Sequence, residues 1–236
     1  MDPIISDRFN SILNDGGPLY AEFNPHWIIV EPWNAISSLL IILPALLWIY
    51  KLRNDWKGEK FLFILLILLL LGGIGSLIFH AFRSSMIWLM LDVIPSAMMV
   101  LLVISFFWLA ILSNWRYLIL VIVGNIILRV LGFLYLDPHS ATNLDYGLTG
   151  LSIFLPVLIL LKKTNFKRSY SIYIAISALS LSLIFREIDA RRSLQFLPMG
   201  THFLWHILSG LGAWYVADYV YYYRKHITKK PAVTGF

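Results

Sequence analysis

The chain has 236 residues, of which 59% are hydrophobic and only 14% are charged, and its formal net charge is +6. Soluble domains carry close to 25% charged residues, so this composition and a mean hydropathy of +0.75 exclude an ordinary soluble protein and indicate a membrane protein. The lack of cysteine excludes disulfides, thiolate metal ligands and a thiol nucleophile.

The predicted elements begin after an acidic segment, residues 1–33, which has no basic stretch followed by an apolar one and therefore does not resemble a cleaved signal peptide. Seven apolar stretches of about membrane-spanning length follow, the fifth being the shortest, at 35–51, 60–82, 86–112, 115–136, 145–161, 169–186 and 198–223. The sequence thus predicts an all-α membrane protein, with a seven-transmembrane helix bundle over residues 34–224 and a basic tail at 225–236.

Lysine and arginine residues are distributed unevenly between the predicted loops. One set of alternate loops, together with the tail, holds most of them: Lys51, Arg53, Lys57, Lys60, Arg116, Lys162, Lys163, Lys167, Arg168, Arg224, Lys225, Lys229 and Lys230. The opposite side holds Arg8, Arg83, Arg191 and Arg192. The positive-inside rule then predicts an N-terminus outside and a C-terminus inside. The cationic collar suits anionic lipid head groups, so we expect no nucleic-acid partner.

Three histidines and an aspartate lie inside these apolar stretches. On the predicted topology, His80 lies near the outer end of span two and Asp92 near the outer end of span three, while His202 and His206 begin span seven. A charged side chain at the centre of a membrane helix costs about 2.5–3.5 kcal/mol, so such residues are candidates for function. Because all four fall at one depth, the sequence predicts a single site in the outer leaflet.

The spacing of these residues favours a metal site. His202 and His206 are four residues apart and share one helical face, as do Ser76 and His80. Three imidazoles that leave one position open match a catalytic zinc, which activates water at neutral pH. We therefore predict zinc on His80, His202 and His206, with Asp92 orienting the water and moving its proton. The Ser76 hydroxyl is predicted to donate to the oxyanion.

Simpler roles for the same residues stay open. A membrane histidine often only hydrogen-bonds a neighbouring helix, Asp92 can be a structural acceptor, and Ser76 can bond back to its own helix. Bis-histidine haem ligation fits poorly, because His202 and His206 on one face cannot be trans ligands. Two other function classes use the same residues: a receptor or scaffold with a structural zinc, and a rhomboid-like serine protease in which Ser76 is the nucleophile.

Four motifs in combination resemble the CREST superfamily of seven-span membrane hydrolases, and within it the alkaline ceramidases. They are Glu31-Pro-Trp-Asn34, Gly73-x-Gly75-Ser76-x3-His80, Leu91-Asp92-x2-Pro95 and His202-x2-Trp205-His206-Ile207-Leu208-x-Gly210. The resemblance covers all seven spans. It implies zinc-dependent hydrolysis of the ceramide amide to a sphingoid base and a fatty acid, with the zinc and catalytic residues named above. A membrane lipid is then the expected partner, and no protein partner is implied.

The same resemblance implies a calcium site in the N-terminal segment. Its ligands are expected to be Glu22, Asn24, Glu31 and a backbone carbonyl at Tyr20, since hard oxygen donors suit Ca²⁺. Leu19 stands where eukaryotic relatives carry an aspartate, so we expect weak binding. Val93 replaces an acid next to Asp92, which bears on substrate preference. The absence of an N-x-[ST] sequon favours a bacterial inner membrane over the ER or Golgi.

Overall fold

A computed structural model describes residues 15–112, 114–191 and 196–228 of the chain. Within these ranges the protein is helical and contains no strand. The helices are α1 (Pro32–Leu52), α2 (Lys60–Phe82), α3 (Met86–Ile111), α4 (Trp115–Tyr135), α5 (Pro138–Lys163), α6 (Ser169–Ala190) and α7 (His202–Tyr223), followed by a π-helix at Arg224–Thr228. The prediction of an all-α protein is confirmed, and one long helix corresponds to each predicted span.

Six of these helices, α1 to α6, are long and apolar enough to cross a membrane. They make the protein a multi-pass membrane protein by length and composition. Helix α7 is not among the six, because its two histidines, Asp218 and a run of tyrosines at its end lower its hydropathy. The seventh span and the orientation of the termini stay predictions.

Three helix starts differ from the sequence prediction, and the first difference is small: α1 begins at Pro32 rather than at 35. Helix α5 begins at Pro138 rather than at 145, because the Asp137 side chain accepts hydrogen bonds from the backbone N–H groups of His139 and Ser140. An aspartate N-cap followed by proline is a strong start signal. The polar stretch 138–144, predicted as part of a loop, is therefore helical. Helix α7 begins at His202 rather than at 198.

The described residues divide into two compact units, one within Met1–Ala97 and Tyr170–Phe236 and the other within Met98–Ser169. In the first unit, α1 packs against both α2 and α7. Glycines allow this close packing: a Cβ atom at Gly210 of α7 would collide with the carbonyl of Leu40 on α1. One at Gly75 of α2 would collide with the α3 backbone at Asp92. The first unit thus contains α1, α2, α7, the start of α3 and nearly all of α6.

The second unit contains α4, α5 and most of α3. Its polar side chains pair with one another: Arg129 of α4 forms an ion pair with Asp145 of α5, and the Ser152 hydroxyl donates to the Asn125 side chain at 2.9 Å. Such pairing lowers the free-energy cost of polar groups within apolar helices. The candidate site residues all belong to the first unit.

Candidate metal centre

The three predicted zinc ligands lie together in the first unit. His80 is in the last turn of α2, and His202 and His206 are in the first two turns of α7. Their side chains are buried, with exposed fractions of 1%, 5% and 2%. One ligand nitrogen from each lies within 4.8 Å of the other two. In the part of the chain that the structure describes, this is the only such group of three or more potential metal ligands.

The orientation of His80 is determined by Glu31. The Nδ1 atom of His80 lies 2.5 Å from Glu31 Oε2, and a carboxylate oxygen accepts, so Nδ1 carries the proton. The backbone N–H of Glu31 also donates to the His80 carbonyl at 3.1 Å, which satisfies one of the last carbonyls of α2. The lone pair of Nε2 is left for a metal. A carboxylate behind a histidine is the usual support of a metal-binding imidazole.

His206 is oriented in a similar way by α1. Its Nδ1 atom lies 3.0 Å from the backbone carbonyl of Asn34 and 2.9 Å from the Ser37 hydroxyl. Because a carbonyl oxygen only accepts, the contact with Asn34 requires a proton on Nδ1. Nε2 of His206 is therefore also the nitrogen with a free lone pair.

His202 has a different environment. Its Nδ1 atom is buried and has no hydrogen-bond partner among residues 15–112, 114–191 and 196–228. Its backbone is held firmly, since Asp189 Oδ1 accepts from the N–H groups of Thr201 at 2.7 Å and of His202 at 3.1 Å. Asp189 thereby caps the start of α7, although it belongs to α6. A buried nitrogen without a partner is a position that a metal ion would satisfy.

The two predicted catalytic residues lie next to this cluster. Ser76 is one turn before His80 on α2, and its buried hydroxyl accepts a hydrogen bond from Ser38 at 3.1 Å. Asp92 lies on the part of α3 whose backbone packs against Gly75, directly before Ser76, and its carboxylate interacts electrostatically with His80. The structure therefore brings Asp92 and Ser76 to the same end of the first unit as the three histidines.

The N-terminal segment lies over the histidines. The ring centroid of Tyr20 is 4.0 Å from that of His202 and 5.1 Å from that of His80. The carbonyl of Tyr20, one of the expected calcium ligands, accepts from the N–H of Phe23 at 3.2 Å. The side chain of Tyr20 thus contacts the histidine cluster, a position that the sequence did not predict.

The other expected calcium ligands already accept hydrogen bonds from the protein. Glu22 is buried and accepts from the N–H groups of Trp33 at 2.5 Å and Asn34 at 2.9 Å, which caps α1. Burial raises the pKa of Glu22, although these two hydrogen bonds oppose the shift. Asn24 Oδ1 accepts from the N–H of His26 at 3.0 Å. The calcium assignment stays a prediction, and an ion would have to share or replace these contacts.

The charged residue Arg83 is also part of the site, although it was not predicted from the sequence. Arg83, directly after α2, is fully buried and donates to Asp15 Oδ2 at 2.5 Å and to Glu31 Oε1 at 2.7 Å. Burial lowers the pKa of Arg83, but its hydrogen bond to Asp15 and the charge of Glu31 outweigh this, so the pKa is raised. Arg83 is therefore a permanent cation next to the partner of His80. The sequence feature that pointed to Arg83 was its position three residues after His80, on the same predicted side of the membrane as the acidic segment 1–33.

No model of a known protein family matches the chain, and no curated protein sequence matches it either. The fold and the site define a class instead: a multi-pass helical membrane protein with a buried cluster of three histidines at one end of a compact unit. The four sequence motifs include the residues that form this cluster.

Proposed function

We propose that the protein is a zinc-dependent intramembrane hydrolase that cleaves the amide bond of ceramide-like lipids to a sphingoid base and a fatty acid. The observation that carries this proposal is the buried cluster of His80, His202 and His206, with ligand nitrogens within 4.8 Å of one another. The similarity of the surrounding motifs to alkaline ceramidases supplies the substrate class.

The donor set fits zinc. Glu31 and the Asn34 carbonyl leave Nε2 of His80 and His206 as the free nitrogens, and His202 contributes a buried nitrogen without a hydrogen-bond partner among the described residues. Three neutral imidazoles leave one position of a tetrahedral ion open, as in catalytic zinc sites. When bound there, zinc supplies Lewis acidity that makes water nucleophilic at neutral pH.

The remaining steps belong to side chains of the chain itself. Asp92 accepts a proton from the attacking water and returns it to the nitrogen of the departing sphingoid base. Ser76, one turn before His80 on α2, donates a hydrogen bond from its hydroxyl to the developing oxyanion. The charge distribution of the loops supports access from the extracytoplasmic leaflet, where a membrane lipid presents its amide near the head group.

The test combines metal content with turnover of a fluorescent ceramide. We expect about one zinc per chain in the wild type, with loss of zinc and turnover in His80→Ala and in the double variant His202→Ala/His206→Ala. The control is His26→Ala, because His26 is exposed. Zinc retained by the double variant, or zinc without turnover of any N-acyl sphingoid lipid, contradicts the proposal. The latter result would favour a receptor or scaffold with structural zinc, and chelator-resistant proteolysis would favour a serine protease.

A further inference from the structure

Four charged or ionisable side chains form a continuous buried chain that ends at a candidate metal ligand. Asp15 bonds Arg83 through both oxygens, at 2.5 Å and 3.0 Å. Arg83 Nη1 donates to Glu31 Oε1 at 2.7 Å, and Glu31 Oε2 accepts from His80 at 2.5 Å. Asp15, Glu31 and Arg83 are at most 1% exposed. A series of direct side-chain contacts thus links Asp15, in the N-terminal segment, to His80.

The position of Arg83 is specified by more than charge. Nη1 also donates to the Pro18 carbonyl at 2.9 Å, and the guanidinium lies 4.6 Å from the ring centroid of Phe79. The backbone of Arg83 is left-handed, with φ 47° and ψ 38°. Residues other than glycine rarely adopt this backbone conformation, which persists only where the surrounding contacts stabilise it.

A guanidinium suits this role better than a metal ion. It is always charged and presents five N–H donors in a planar fork that matches carboxylates. Calcium instead takes six to eight oxygen ligands. Here Oε1 of Glu31 is bonded to Arg83 and Oε2 to His80. The cation that organises this carboxylate is therefore built into the chain.

We infer that Arg83 is a positioning residue for the metal centre: its guanidinium ties Asp15 to Glu31, and thereby holds His80 in its ligating orientation without a calcium ion. This inference rests on the proposed function, because it concerns the same metal site. Beyond the proposed function, it assigns a role to Arg83 and explains how His80 is oriented. It also states that this orientation does not depend on calcium.

The experiment measures zinc affinity by competition with a chelator, and the visible spectrum of the cobalt-substituted protein, with and without calcium. The variants are Arg83→Gln, Arg83→Lys and Asp15→Asn. The matched control is Arg191→Gln, since Arg191 is exposed and pairs with Glu187 at 2.6 Å at the end of α6.

For the wild type we expect a zinc affinity that does not change with calcium. For Arg83→Gln we expect about 10–100-fold weaker zinc binding, the usual effect of losing support behind a ligand, and an altered cobalt spectrum. Millimolar calcium should partly restore the zinc affinity of this variant, because Asp15 and Glu31 have lost the counter-ion that Arg83 provides in the wild type. Arg83→Lys and Asp15→Asn should show smaller losses, and Arg191→Gln none.

The outcomes separate the inference from the proposed function. Wild-type protein that binds no zinc through its histidines overturns both. Zinc bound equally by wild type and Arg83→Gln, with identical cobalt spectra, overturns the inference alone, as does a wild-type zinc affinity that requires calcium. If Arg83→Gln does not fold, the other two variants decide: wild-type affinity and spectra in both Arg83→Lys and Asp15→Asn overturn the inference.

Discussion

Glu31→Gln changes one charge in the centre of the site and keeps the side-chain size. Glu31 uses both oxygens, one for the His80 Nδ1–H and one for the Arg83 Nη1–H. Glutamine has a single acceptor oxygen, so one of these two donors loses its partner. Since the amide is neutral, it also removes the negative charge that strengthens both bonds. We expect weaker zinc binding and lower stability.

The two effects have different sizes. Loss of the group behind a metal ligand lowers metal affinity by about 10–100-fold, which corresponds to about 1.4–2.7 kcal/mol at 1.36 kcal/mol per tenfold. Breaking a buried ion pair on one side costs about 3–5 kcal/mol of stability. The cost here should lie at or below the lower end, because Asp15 still pairs with Arg83 through two bonds.

The assay is zinc competition with a chromophoric chelator, alongside thermal unfolding of the metal-free protein in detergent. Glu59→Gln is the matched control: Glu59 is also fully buried and pairs with Arg224 at 2.6 Å, but it precedes α2 at the helix end opposite to His80. Glu59→Gln should lose stability and keep zinc affinity. Wild-type zinc affinity in Glu31→Gln refutes the reasoning, and so does an equal loss in Glu59→Gln, which would mark a global effect.

The catalytic step, the topology and the calcium dependence each have a direct test. Asp92→Asn should retain zinc and lose about 10²–10⁴-fold in ceramide turnover, as expected for a general acid/base; a near wild-type rate would remove Asp92 from the mechanism. Cysteine at the exposed Asn143 should react with an impermeant label in intact cells and cysteine at Lys167 should not, because the predicted topology puts these two positions on opposite sides of the membrane. The chain has no other cysteine, so the label reports only on the introduced residue. The reverse result inverts the topology. Wild-type turnover should change less than about twofold between chelator and millimolar calcium, because Arg83 already pairs with Glu31; a calcium dependence that Glu22→Ala abolishes would establish the calcium site.

Apolar length predicted the helices well, and local polar signals account for the differences. The hydropathy of 138–144 is too low for a membrane span, yet the Asp137 cap and Pro138 start α5 there. Hydropathy measures the transfer of side chains into lipid, whereas a helix begins where backbone N–H groups find acceptors. The two criteria agree for α2, whose bounds match the predicted 60–82.

The histidine cluster could be predicted because its residues are individually unusual in apolar helices. A histidine at 80, 202 or 206 stands out from its neighbours, and the i, i+4 pair gives a common face. Arg83 does not stand out, since an arginine at the end of a span is ordinary. Its role depends on Asp15, which is 68 residues away in sequence. Contacts at such separations follow from the packing of the segment on α2 and not from a local pattern.

The charges of the buried chain add a reason for the location of a cation. Asp15 and Glu31 carry two negative charges, and Arg83 neutralises one of them, so these three residues have a net charge of −1 beside three imidazoles. A buried negative charge is unfavourable in isolation and attracts a counter-ion. A dication on the histidines would offset this charge together with that of the Asp92 carboxylate. Because Glu31 is the link between Arg83 and His80, the same carboxylate that orients the ligand also contributes to this attraction.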